Sequence, residues 1–121
     1  MNAILSIHWY LVAAIWYSVN GLLHDIFVVR AHKGPYNRDL LRLLMDGHVL
    51  ILSGLLLIPC WYLVKQGIVQ GSVIALIVAA GMIVYCAMIF PFLKSVVTLV
   101  ISIMLAAVSL YWWWSASGKT A

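Results

Sequence analysis

The stretch VQGSVIALIVAAGMIVYCAMIF, residues 69–90, decides the fold. It carries no charge, and the charge-free run continues on both sides until Lys65 and Lys94. A helix needs about 20 apolar residues, at 1.5 Å each, to cross a hydrocarbon core of roughly 30 Å. Backbone N–H and C=O groups find no water at that depth, so such a stretch must satisfy them internally as a helix. Working outward, residues 3–29, 41–64 and 95–114 have the same character. The 121-residue chain is accordingly 66% hydrophobic and only 8% charged, with a mean hydropathy of +1.11. Soluble domains run near half apolar and a quarter charged, so soluble, disordered and disulfide-framework classes are excluded. The sequence predicts an all-α integral membrane protein, with residues 1–121 forming a single antiparallel bundle of four transmembrane helices.

The connections set its orientation. Gly34 and Pro35 mark a turn in the first, residues 30–40, after which Asn37 can cap a helix with Asp39 in its first turn. Lys65, Gln66 and Gly67 make a short second connection, and Pro91 interrupts the chain before the fourth segment. Of the net charge of +4, Arg30, Lys33, Arg38, Arg42 and Lys94 lie at one end of the bundle, against Lys65 and Lys119 at the other. By the positive-inside rule the connections 30–40 and 91–94 are expected to be cytoplasmic, with both termini on the outer side of a bacterial inner membrane. Trp9, Trp61, Trp112, Trp113 and Trp114 fall at the outer ends of their segments, as an interfacial belt does. This topology accounts for the basic cluster without nucleic acid. The first segment lacks a basic leader and a small-residue cleavage site, so it is expected to remain as a helix. Cys60 and Cys86 fall in opposite leaflets, too far apart for a disulfide.

Polar and small residues recur at alternating spacings of three and four, the seam of a left-handed bundle. On the first segment they are Ser6, Tyr10, Ala13, Tyr17, Asn20 and His24. The second offers Asp39, Arg42, Asp46, Val49, Ser53, Leu56 and Cys60, and the third Ser72, Ala75, Ala79, Met82 and Cys86. The fourth offers Ser95, Thr98, Ser102, Leu105, Ser109 and Trp112. Most of these positions read as packing contacts. Gly47 and Gly54 lie beside the seam and are expected to face a partner helix.

The ionisable positions carry the functional expectation. His24 precedes Arg30 by six residues, roughly 9 Å of helix, and Asp46 lies at a comparable depth one turn beyond Arg42. Asp39, Arg42 and Asp46 share a face as a charge ladder, which seam packing would bring to His24, with Asn20 and Ser53 one turn deeper. A charge in the hydrocarbon costs at least ~2.5 kcal/mol unless paired or hydrated, which marks buried clusters as functional candidates. His48 is rotated 200° from Asp46 and is expected to face lipid headgroups, a neighbouring subunit or another helix. Asp25 is expected to pair with a loop base, His8 to be interfacial and His32 solvated.

Three functions compete. A proton-linked transporter or channel-like binding protein would use His24, Asp46, Arg42, Asn20, Asp39 and Ser53, with a polar route continuing past Tyr17, Tyr10 and Ser109. Length and helix count are similar to those of the small multidrug-resistance transporters, but this chain has no glutamate and so lacks their embedded one. A non-catalytic accessory or assembly subunit is the alternative, and either reading expects a second copy or a partner membrane subunit within the bilayer. The third is a haem- or quinone-binding redox protein. No cofactor is expected, but haem b with His24 as axial ligand is the one to consider. No metal site and no nucleophile–base pair is legible, so the chain reads as a non-enzyme.

Overall fold

The computed structural model describes residues 2–119. Four helices account for nearly all of them: α1 (Ala3–Ala31), α2 (Arg38–Lys65), α3 (Gln70–Ile89) and α4 (Val96–Ser117). Each is long and apolar enough to cross a membrane, so the chain is a membrane protein. They run up and down in a ring, with α1 against α2, α2 against α3, α3 against α4, and a slighter contact closing α4 onto α1.

The boundaries follow from local chemistry. The side chain of Asn2 accepts from Ile4 N–H at 3.2 Å to start α1, and that of Asn37 accepts from Leu40 N–H at 2.9 Å to start α2. This cap sets α2 three residues earlier than its hydropathy does. At the other end of α2, Gly67 adopts φ +76°, a conformation that favours glycine. The N–H groups of Gly67 and Ile68 then reach back to Val64 and Leu63 carbonyls, both at 2.9 Å. These two bonds satisfy carbonyls that α2 would otherwise leave open and turn the chain directly into α3.

Packing depends on smallness. A Cβ at Gly21 would lie 2.5 Å from the Gly47 carbonyl oxygen, and one at Gly54 would lie 2.6 Å from that of Ala14. Thus α1 and α2 touch backbone to backbone, the usual way for helices in lipid to gain close contact. Gly71 does the same for α3, where a Cβ would lie 2.8 Å from the Cys60 carbonyl oxygen. The centre is filled by Tyr10, Tyr17, Leu57, Ala79, Met82 and Leu105, while Phe27, Ile77 and Met88 cover the outside.

The buried faces of α1, α3 and α4 largely follow the expected seams; that of α2 does not. Its buried residues are Leu40, Gly47, Leu50, Gly54, Leu57, Cys60 and Val64, while Val49 and Leu56 are exposed. Apart from Cys60, the expected stripe lies one residue, or 100° of rotation, from the real one. The physical reason is the pair Gly47 and Gly54, which lies against α1 and not on an outward patch.

Candidate functional site: an interhelical cavity and a flanking His–Asp contact

At the end of the bundle that holds the 32–37 and 90–95 connections, all four helices enclose a cavity of about 460 Å³. Trp16, Asn20 and His24 recur every four residues along α1 and so present one stripe to it. From α2 come Asp46 and Leu50, from α3 Tyr85, and from α4 Thr98. The Tyr85 hydroxyl lies beside the Asp46 carboxylate. Phe92 and Lys94, both exposed, border the mouth.

The floor is tied by hydrogen bonds between α1 and α4. The Trp16 indole N–H donates to Thr98 Oγ1 at 3.1 Å, and the Asn20 amide approaches the same oxygen at 3.5 Å. One turn deeper, Ser102 Oγ donates to the Thr98 carbonyl at 2.7 Å. Its hydroxyl oxygen therefore accepts from Tyr17 Oη, 2.6 Å away. Below this layer Leu57, Met82 and Leu105 are buried and close the cavity off from the opposite end.

The expected site residues divide into two groups. His24, Asp46 and Asn20 do line one cavity. Asp39 and Arg42 are exposed, and Ser53 is half-buried; none of the three borders the cavity. Among the described residues no ion pair joins Asp39, Arg42 and Asp46, so the expected ladder does not form. The 100° turn of α2 carries Arg42 outward, away from His24, as it brings Gly47 against α1.

Of the surroundings expected for His48, the structure gives another helix. His48 meets α1, where its Nδ1 lies 3.0 Å from Asp25 Oδ2. The same nitrogen lies 2.9 Å from the Leu44 carbonyl oxygen, to which it donates, so it carries the proton. Asp25 therefore pairs with His48 and not with a loop base. A Cβ on Gly47 would collide with the Asp25 carboxylate, so the glycine makes the space that the carboxylate occupies. The other oxygen, Asp25 Oδ1, lies 3.4 Å from His24 Nδ1. The Asp25 side chain is 13% exposed and that of His48 66%. At the mouth end, His32 Nε2 hydrogen-bonds the Pro35 carbonyl at 3.1 Å.

Trp16, Tyr85 and Thr98 had escaped notice as cavity residues. Trp16 and Tyr85 lie one residue off their seams, where a large amphipathic side chain reaches around a helix edge. The expected polar route does not run through. Tyr10 and Ser109 are buried and do not border the cavity. Nearer the termini, Trp112 Nε1–H donates to Ser6 Oγ at 3.2 Å.

Haem would find a single imidazole here, because His48 is directed to the outer face. Among the described residues no three His, Cys, Asp or Glu side chains are grouped to hold a metal ion. Fold and cavity together define a small four-helix membrane protein with an interior cavity at one end of the bundle. No protein-family model, curated protein or solved structure matches the chain.

Proposed function

We propose that the chain binds a small amphipathic organic cation in this cavity and exchanges it against protons, as one state of a proton-linked transporter. The observation that carries the reading is the convergence of the Asp46 carboxylate and the His24 imidazole in one aromatic-walled cavity. Its volume lies in the range of small-molecule sites. Trp16 and Phe92 offer π-faces to a cation, and a carboxylate that can hold either a cation or a proton makes the two compete. The closed floor fits a state open at one end only. The charge count supports a cytoplasmic position for that end, with both termini outside. All four helices of one chain contribute, so the site is complete within a single copy; self-association would add stability and not residues.

The test is calorimetric titration of the protein in lipid nanodiscs with tetraphenylphosphonium. Binding with proton release is expected, abolished by Asp46→Asn and retained in Asp39→Asn. Equal binding in wild type and Asp46→Asn would overturn the reading. The accessory-subunit reading has less to rest on, since Gly47 and Gly54 are used inside the molecule.

A further inference from the structure

We infer that the outer face of the α1/α2 crossing binds a lysophospholipid, with its acyl chain in a groove, its phosphate on Arg30 and its glycerol hydroxyl on His48. This site lies outside the cavity and stands whether or not the cavity holds a cation. A shallow groove of about 390 Å³ runs between the two helices, walled by Ile26 and Val29 of α1 and by Leu44 of α2. Ile26 and Val29 are exposed on a helix long and apolar enough to cross the membrane. The solvent of such a face is hydrocarbon, and lipid tails are as apolar as the side chains that line it. An acyl chain therefore fills the groove.

Two groups on the border of the groove say which lipid. Arg30, in the last turn of α1, is exposed and joins no ion pair among the described residues. At the membrane edge a guanidinium extends to the phosphate level, where its planar fork offers two N–H groups to one phosphate. His48 spends its Nδ1–H on the Leu44 carbonyl, 2.9 Å away. A neutral imidazole protonated at Nδ1 carries a lone pair on Nε2, and this ring is mostly exposed. That lone pair calls for a donor. Asp25, the remaining polar member, is 13% exposed and contacts the two imidazoles; a carboxylate donates nothing. Asp25, which His48 meets, precedes Arg30 by five residues, about 7.5 Å of helix. His48 thus stands below the phosphate level, on the side where a phospholipid carries its glycerol. A diacyl phospholipid brings only ester oxygens there, acceptors that leave Nε2 unmatched. A lysophospholipid brings a hydroxyl, and a single chain for a single groove.

The test titrates the protein, in nanodiscs of dimyristoylphosphatidylcholine, with myristoyl-lysophosphatidylcholine. The choline headgroup has no hydrogen-bond donor, so the glycerol hydroxyl is the lipid's single one. Binding is followed by the ¹⁵N shift of His48 Nε2. A saturable upfield shift is expected, as a lone pair gives when it accepts a hydrogen bond. The same lysolipid with its hydroxyl O-methylated should bind the unchanged protein about tenfold more weakly, the worth of one hydrogen bond. Because that change is made in the ligand, it asks nothing of folding. Arg30→Gln, at an exposed position, should weaken the parent lysolipid by more than tenfold, since a charged partner is lost. An Nε2 shift unmoved by the lysolipid, or equal affinity for the hydroxyl and methoxy lipids, would overturn the site. So would equal affinity in wild type and Arg30→Gln. Tetraphenylphosphonium plays no part in this readout, so a failed lipid site and a failed cation site are distinguishable.

Discussion

Asp25 and His48 meet across the α1/α2 crossing at 3.0 Å, in the space left by the absent side chain of Gly47. This contact and the glycine are thus one arrangement, since neither helix could bring its polar group to the other without the backbone contact.

Gly47→Ala should therefore destabilise the bundle by about 1–3 kcal/mol, the cost of overpacking a tight contact. Gly81, whose Cβ would meet nothing within 4 Å, is the control: Gly81→Ala should be neutral or stabilising by up to about 1 kcal/mol. Reversible unfolding in mixed micelles measures both, and equal effects would refute the close approach of α1 and α2.

Tyr17 and Ser102 should be energetically coupled through their 2.6 Å hydrogen bond. A double-mutant cycle with Tyr17→Phe and Ser102→Ala is expected to give about 0.6 kcal/mol and at most about 1.7, as interhelical bonds in membranes do. A coupling of zero would mean that the floor is not tied there.

Thr98→Val removes the acceptor shared by Trp16 and Asn20. The indole N–H resonance of Trp16 should move upfield, while that of Trp112, bonded to Ser6 far down the bundle, should stay in place. Movement of both would point to a general loosening and not to a local floor contact.

Orientation is tested with cysteines placed in the connections. Lys33→Cys should resist an impermeant maleimide in intact cells and react after lysis, whereas Gly67→Cys should react in both. The opposite pattern would put the cavity mouth outside. Cys60 and Cys86, 1% and 0% exposed, should stay unlabelled until the protein is unfolded, as buried thiols do.

The four helices were legible because hydropathy reads length directly, and residues 69–90 leave no other structure open. The seams of α1, α3 and α4 were legible because Ser, Thr, Ala and Tyr repeat there without competition. On α2 two signals disagreed: Asp39, Arg42 and Asp46 traced one stripe, while Gly47 and Gly54 traced another beside it. The glycines prevailed, because close backbone contact requires a missing side chain, whereas Arg42 and Asp39 can reach water near the membrane edge. His24, Asp46 and Asn20 were brought together despite this, since a cavity gathers groups over a wider arc than a packed seam does. For His48 the azimuth excluded Asp46 but left lipid, a subunit or another helix open, and the rotation of α2 decides that it meets α1.

The slight α1/α4 contact gives the molecule the form of a book. Its covers are the hairpins α1–α2 and α3–α4, and its spine is the glycine-tight α2/α3 seam at Gly71. The fore-edge is held by the bonds of Thr98 and Ser102 to α1. Whatever loosens those bonds parts the pages toward the lipid before it opens a passage to the far side. An oily guest could then slip out sideways into the leaflet instead of crossing to the opposite water.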